Sequence, residues 1–267
     1  MKKFRTIKVI IQMKSCIVSY QRKLQQSGMS PKFYRRKSWI LSRTACLGSD
    51  AAELIPDIKK LKYPRINFQK TRIDHLNFLL NGGKIRVANQ YEINDASVFS
   101  LVQKQKSIKL KFHEEPLLIL LDTYSELTDQ EFVTNDGRKF FANYSDVNEK
   151  KISNKTIVCL GRIDSNTIYV NYFEFCKAIY TRWPDTKIVF IAYPTTYETR
   201  SVYLQQSKSI DEALSKLVDK LPRIKVIKIP NEIVSQDERV DDFPYHFGES
   251  TKSYVAREIK SVIEATV

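Results

Sequence analysis

The chain has 267 residues, of which 42% are hydrophobic and 11% aromatic, and this composition excludes a disordered protein. The formal net charge is +14, yet twelve basic residues and no acidic residue precede Asp50, so the remaining chain is nearly neutral. Four widely spaced cysteines predict reduced, mostly buried thiols rather than a disulfide framework. Three histidines and seven glycines argue against a zinc site, a phosphate loop and a dinucleotide fingerprint.

Residues 1–38 are predicted to form a basic helical arm. Residues 1–27 are predicted to be helical, but the apolar stretch Ile7–Tyr20 within them is too short and too charged to span a bilayer, and no signal-peptide cleavage site follows it. Three interpretations remain open: a helix packed on the domain, an amphipathic helix over residues 1–37 on an anionic membrane, and an organellar transit peptide. We expect a cytoplasmic protein, peripheral at the inner face of the membrane if the second interpretation holds.

Strands alternate with helices over residues 39–267, and this alternation predicts one α/β domain with a parallel sheet. The predicted strands are Trp39–Leu47, Arg65–Phe68, Pro116–Asp122, Lys187–Tyr193 and Arg223–Ile229. The predicted helices are Asp50–Lys60, Ile73–Leu80, one from Asn94 or Asp95 to about Lys106, Ile168–Trp183, Ser209–Leu221 and Thr251–Ala265. The continuous apolar run of Pro116–Asp122 indicates the centre of the sheet. A turn around Gly137 predicts a β-hairpin between Phe132 and Ser145.

The stretch 40–54 predicts a buried strand, a tight turn at Gly48 and a helix that starts at Asp50. Ser49 and Asp50 are both favourable N-cap residues. A strand–turn–helix junction would place Ser49 at the carboxyl edge of the sheet, beside a positive helix N-terminus, where open α/β sheets bind ligands. Ser49 is therefore either a catalytic nucleophile or a plain N-cap serine.

His246 lies in a loop between the last predicted strand and the last predicted helix. Two carboxylates, Asp241 and Asp242, precede it, and aromatic neighbours would shield the imidazole from water. An imidazole held by a carboxylate is the base that a serine hydroxyl needs. The other interpretation of His246 is a solvated loop residue. The strand that ends at Asp122 would deliver further polar residues to the same edge.

Three motifs together resemble the SGNH (GDSL-like) hydrolase superfamily. They are Gly48-Ser49, Asp122 through Glu126, and Phe243-Pro244-Tyr245-His246-Phe247. More narrowly, they are similar to an SGNH-like family of unassigned function found in bacterial capsule and surface-polysaccharide gene clusters. The resemblance implies a flavodoxin-like, three-layer α/β/α fold with about five parallel strands. It also implies a serine esterase or O-acyltransferase that acts on carbohydrate.

The resemblance assigns Ser49 as the nucleophile, His246 as the general base and Asp242, or Asp241, as the orienting carboxylate. The residues expected to bind the oxyanion or the substrate are Gly48, Asp122, Thr123, Tyr124, Glu126 and Tyr245. The chain departs from the superfamily in its Gly-Ser-Asp order, in the Asp–His spacing and in lacking a Gly-x-Asn-Asp block. An oxyanion would therefore rest on backbone N–H groups or on a hydroxyl.

No bound cofactor or metal is expected, although a transferase would need an acyl donor such as acetyl-CoA. The basic cluster Arg35, Arg36 and Lys37 would suit the phosphates of that donor. The departures from the superfamily leave a second function open, that of an inactive accessory protein of polysaccharide biosynthesis at the inner membrane face. Nucleic acid is not an expected partner, since no binding motif accompanies the basic arm.

Overall fold

A computed structural model describes residues 40–55, 65–67, 71–81, 83, 99–100, 103, 105, 115–134, 137, 139–143, 157–237 and 244–265. The predicted basic arm and the carboxylates Asp241 and Asp242 lie outside these residues.

Five parallel strands form the main sheet. They are β1 (Ile40–Arg43), β2 (Arg65–Asn67), β3 (Leu118–Asp122), β7 (Lys187–Ile191) and β8 (Lys225–Ile227). Their spatial order is β2-β1-β3-β7-β8, and every neighbouring pair is parallel. This is the flavodoxin-like strand order. The prediction of an α/β fold with a parallel sheet is confirmed, and five of its strands lie in the described part of the chain.

Six α-helices are described: α1 (Cys46–Glu53), α2 (Ile73–Leu80), α3 (Tyr124–Thr128), α4 (Ser165–Arg182), α5 (Ser201–Lys220) and α6 (Glu249–Glu264). A short 3₁₀ helix covers Asn231–Ile233. Helix α1 packs against α6, while α4 packs against α2 and α5. Right-handed crossovers place these two groups on opposite faces of the sheet, which gives the expected three layers. The strand β3 at the centre is buried along its whole length, as its apolar run predicts.

A smaller antiparallel sheet is inserted between β3 and α4. It contains β4 (Asp129–Thr134), β5 (Lys139–Asn143) and β6 (Ile157–Gly161) in the order β5-β4-β6. Strands β4 and β5 form the predicted hairpin, and Gly137 adopts a φ of +77° in its turn. Strand β6 contains Cys159, and its three central residues are exposed.

The predicted boundary between the first strand and the first helix is wrong. Strand β1 ends at Arg43, and α1 begins at Cys46 with Ala45 in the N-cap position. Ser49 therefore lies inside the helix, where its N–H donates to the carbonyl of Ala45 at 3.1 Å. The cause is a long-range contact: the Asp122 carboxylate accepts the Ala45 N–H at 2.6 Å and turns the chain four residues earlier than local capping preferences suggest.

A candidate active site at the carboxyl edge of the sheet

The carboxyl ends of β1 and β3 lie side by side at the topological switch point of the sheet. Arg43, the last residue of β1, is in register with Leu121 of β3. From β1 the chain continues to β2 on one side, and from β3 it continues to β7 on the other. Diverging connections leave a crevice at such a point, which is where open α/β sheets bind ligands. The candidate site therefore consists of the residues that surround this edge.

A fully buried ion pair lies directly under the edge. Arg43 Nη1 donates to Glu126 Oε2 at 2.8 Å, and the two side chains are 1% and 0% exposed. Glu126 also accepts the Tyr172 hydroxyl at 3.0 Å and the Ile73 N–H at 2.8 Å. We call Arg43, Glu126 and Tyr172 the buried cluster. It ties β1, α3, α4 and the start of α2 together.

The electrostatics of the buried cluster favour a permanently charged guanidinium. Burial acts to lower the pKa of Arg43, but the charge of Glu126 and the nearby groups Tyr172 and Asp122 outweigh it and raise that pKa. Nε and Nη2 of Arg43 have no hydrogen-bond partner among the described residues. The Glu126 carboxylate is therefore the hydrogen-bonded counter-ion of the Arg43 guanidinium.

Asp122 holds the turn that leads into α1. Its Oδ2 accepts the Ala45 N–H at 2.6 Å, and its Oδ1 accepts the Tyr124 N–H at 3.2 Å. Burial raises the pKa of Asp122 to about 7, although Arg43 and the two N–H donors act to lower it. Asp122 is thus a positioning residue for the N-terminus of α1.

A cavity of about 220 Å³ opens beside that N-terminus. Its apolar wall consists of Leu47, Tyr245 and Phe247. Its polar wall consists of Cys46, Asp50, Asp237, His246 and Lys252. A thiol, an imidazole, two carboxylates and an ammonium group therefore share one small enclosure.

Backbone pairing holds the loop that supplies His246. Gln236 and Phe247 form an antiparallel bridge, the Asp237 N–H donates to the His246 carbonyl at 3.0 Å, and the Gly248 N–H donates to the Ser235 carbonyl at 2.8 Å. The Tyr245 hydroxyl donates to the carboxylate of Glu198 and so anchors the loop on its other side. The backbone of His246 is consequently held against the residues around Asp237.

A carboxylate–guanidinium pair supports the Tyr245 anchor. Burial acts to raise the pKa of Glu198, but hydrogen bonds from Arg200 and Tyr245 lower it to about 2. Arg200 binds both carboxylate oxygens, at 2.8 and 2.7 Å. Tyr245 also packs edge-on against Tyr193 and Tyr124, with ring centroids 5.8 and 5.6 Å apart. This aromatic packing closes the cavity towards the core.

The charges inside the cavity form a loose group. Lys252 Nζ lies 3.6 Å from Asp50 Oδ2 and 3.7 Å from Asp237 Oδ2, and its side chain is 16% exposed. We call Asp50, Asp237 and Lys252 the cavity cluster. Both separations are longer than a direct hydrogen bond, so Lys252 is held to the two carboxylates mainly by charge.

The structure brings together only part of the predicted site. His246 and Tyr245 line the cavity, whereas Ser49 and Gly48 do not. Gly48 instead allows α1 to pack closely, because a Cβ there would lie 2.7 Å from Thr44 Cγ2 and 3.1 Å from Ile191 Cδ1. The predicted orienting carboxylates, Asp241 and Asp242, lie outside the described residues.

The other predicted binding residues have structural partners. Asp122 and Glu126 are buried and bonded as described above. Thr123 is also buried, and its hydroxyl accepts the Tyr193 N–H at 2.9 Å, which makes it part of the β3–β7 junction. Tyr124 is half-buried and packs against Tyr193, with the ring centroids 4.8 Å apart.

Four polar residues of the cavity were not predicted as site residues: Cys46, Asp50, Asp237 and Lys252. The prediction of mostly buried thiols is wrong for Cys46 and Cys159, which are both exposed, while Cys176 is buried. Cys46 is the first residue of α1, and Cys159 lies on β6. The early end of β1, which the sequence does not show, moves Cys46 to the edge. In the sequence, the only indication that Lys252 lies near the site is its position in the first turn of the last helix.

No protein-family model matches the chain, and no curated protein matches it. Among solved structures, the chain is similar to a GDSL-like lipase from Bacteroides thetaiotaomicron VPI-5482. The two are 8% identical, the match covers 93% of this chain and 98% of that chain, and the TM-score is 0.46. Within the described part of the chain, no helix is long and apolar enough to cross a membrane. The same residues contain no group of His, Cys, Asp and Glu side chains able to hold a metal ion.

Proposed function

We propose that the cavity carries acyl-ester chemistry, in which His246 acts as the general base. The acyl group would pass from an ester or thioester either to water or to a carbohydrate hydroxyl. The observation that supports this proposal is the position of His246, which lines a cavity beside the N-terminus of α1. A helix N-terminus stabilises the negative charge that develops on the carbonyl oxygen during acyl transfer.

Asp237 is the described carboxylate best placed to orient His246. It lines the same cavity, and its backbone N–H is bonded to the His246 carbonyl at 3.0 Å. A carboxylate beside the imidazole would stabilise the imidazolium that forms when the base takes a proton. Asp237 is therefore proposed as the carboxylate that orients His246, the role that the sequence resemblance assigned to Asp242 or Asp241.

The carbohydrate acceptor and the acetyl group are proposed from the sequence resemblance to polysaccharide-cluster proteins. In a transferase, acetyl-CoA would supply the acyl group, and Arg35, Arg36 and Lys37 are proposed to bind its phosphates. Lys252 adds a cation within the cavity itself, which would suit an anionic group of the donor or of the sugar.

The test is turnover of two acyl donors by the full-length protein. Hydrolysis of 4-nitrophenyl acetate and release of thiol from acetyl-CoA, with and without an O-deacetylated bacterial polysaccharide, are measured for the wild type, for His246→Ala and for Glu249→Gln. Glu249 is a matched control because it lies three residues further along and does not line the cavity. We expect about 10²–10⁴-fold lower rates for His246→Ala and unchanged rates for Glu249→Gln.

A folded wild-type protein that turns over neither donor would contradict the proposal. That result would favour the non-catalytic accessory role that the sequence leaves open.

A further inference from the structure

We infer that the nucleophile of this site is the thiol of Cys46, and that the acyl group passes through a thioester on Cys46. The inference rests on the proposed acyl-ester function and names the residue that would carry it. It replaces the serine that the sequence motif suggests.

The position of Cys46 supports this assignment. Cys46 is the first residue of α1, it is exposed, and it lines the same cavity as His246. Ser49 is the fourth residue of the helix and is absent from the cavity wall. A nucleophile and its base must be able to approach one another, and the cavity provides that opportunity for the thiol and the imidazole.

The surroundings of Cys46 suit a thiolate. Helix N-termini and neighbouring cations favour a negatively charged sulfur, and both are present here, as the α1 N-terminus and Lys252. Asp50 and Asp237 oppose this effect, but each lies within 3.7 Å of the Lys252 ammonium, which offsets part of their charge. His246 completes the arrangement as the proton acceptor.

The turn before α1 is built to present this residue. Asp122 binds the N–H of Ala45, the residue directly before Cys46, at 2.6 Å. Leu47, the residue directly after it, is buried in the hydrophobic core. The backbone before Cys46 is therefore held by a side chain at the end of β3, and the residue after it is held by core packing.

The proposed reaction is balanced in two steps. His246 takes the thiol proton, the sulfur attacks the ester carbonyl, a C–S bond forms, the C–O bond breaks, and the alkoxide leaves as an alcohol with the proton held by His246. Water or a sugar hydroxyl then attacks the thioester while His246 takes its proton. A new C–O bond forms, the C–S bond breaks, and the proton returns to the sulfur.

The experiment compares the wild type with Cys46→Ala, Ser49→Ala and Cys159→Ser. Cys159 is the matched control, because it is another exposed thiol but lies on β6 in the smaller sheet. Each protein is incubated with 4-nitrophenyl acetate and quenched in acid, and the acetylated peptide is identified by mass spectrometry. Treatment with neutral hydroxylamine separates a thioester, which it cleaves, from a serine ester, which resists it. Circular dichroism confirms that each variant is folded.

We expect one hydroxylamine-sensitive acetyl group on the peptide that contains Cys46. Turnover should fall by at least about 10³-fold in Cys46→Ala and stay unchanged in Ser49→Ala and Cys159→Ser. Turnover that survives in Cys46→Ala but is lost in Ser49→Ala would overturn the inference and leave the acyl-ester function in place. A wild type that is neither acetylated nor active would overturn both.

Discussion

Two ionic clusters lie at the same edge of the sheet, and they differ in the distances between their charged atoms and in their exposure to solvent. In the buried cluster, Arg43 and Glu126 are 2.8 Å apart and 1% and 0% exposed. In the cavity cluster, Lys252 is 3.6 Å from Asp50 and 3.7 Å from Asp237, and these three side chains are 16%, 47% and 22% exposed. The first cluster holds structural elements together, whereas the second faces the space in which a substrate would bind.

The difference follows from solvation. A buried charge that loses its partner has no water to replace it, so removing one member of such a pair is strongly destabilising. A half-exposed pair is screened by water and adds little to stability. The edge of the sheet therefore combines a rigid support with a cluster whose members can change partners.

The largest effect is expected from Glu126→Ala. This change leaves the Arg43 guanidinium buried without its counter-ion and removes the acceptor for Tyr172 and Ile73. We expect a loss of about 3–5 kcal/mol in the free energy of unfolding, measured by urea denaturation. The control is Glu258→Ala, which breaks the exposed pair with Lys225 at 3.4 Å and should cost at most about 1 kcal/mol. Equal losses in both variants would mean that burial does not distinguish the clusters.

The variant His75→Leu tests a buried ionisable side chain that belongs to neither cluster. Neither ring nitrogen has a hydrogen-bond partner among the described residues, and burial lowers the pKa of His75 to about 4. Between pH 6.5 and about 4 the His75 side chain binds a proton in the unfolded chain but not in the folded chain. The contribution of His75 to stability should therefore fall as the pH falls through this window. We expect His75→Leu to remove up to about 3 kcal/mol of that pH dependence, measured by urea denaturation at several pH values.

Glu198 provides an internal control for that experiment. Its pKa is lowered to about 2, so the stability that it contributes is present above its ordinary pKa and is lost only as the pH falls from about 4.5 towards 2. The His75→Leu variant should retain this second, more acidic transition. A stability change between pH 6.5 and 4 that is the same in the wild type and in His75→Leu would contradict the assignment to His75.

Gly48→Ala should have an intermediate effect. The new methyl group would meet Thr44 Cγ2 at 2.7 Å and Ile191 Cδ1 at 3.1 Å, so α1 would have to shift away from the sheet. We expect a loss of about 1–3 kcal/mol in thermal or urea unfolding, together with reduced turnover, since α1 carries Cys46. The variant Ser49→Ala, at the next position of the helix, is the control and should change stability little. Unchanged stability in Gly48→Ala would show that α1 does not pack as closely as described.

Lys252→Met should have the smallest effect on stability and a clear effect on chemistry. Because the ammonium pairs loosely and is partly exposed, we expect a change of at most about 1 kcal/mol in the free energy of unfolding. The rate at which iodoacetamide alkylates Cys46 should fall, since the cation that favours the thiolate is lost. Lys252→Arg retains the charge and should retain the rate. A stability loss comparable to that of Glu126→Ala would remove the distinction between the two clusters.

Much of the fold was predictable because its signals are local. The apolar run that ends at Asp122 indicates a central buried strand, and β3 is that strand. The turn around Gly137 indicates a hairpin, and β4 and β5 form it. In both cases neighbouring residues determine the local structure, so the sequence pattern is sufficient.

The candidate site was predictable only in part. His246 and Tyr245 line the cavity because a loop that follows the last strand of a parallel sheet reaches the carboxyl edge. Ser49 was misplaced because its N-cap chemistry competes with the bond from Ala45 to Asp122, which joins residues 77 positions apart.

The sequence by itself therefore determined the class of fold, the central strand and the loop that carries the imidazole, since hydrophobic runs and turn residues act over short distances. The tertiary structure decided where β1 ends, that Cys46 rather than Ser49 reaches the cavity, and that Asp237 and Lys252 lie there with His246. These outcomes depend on contacts between strand ends and on the packing of α1 against α6, and such contacts leave no local pattern in the chain.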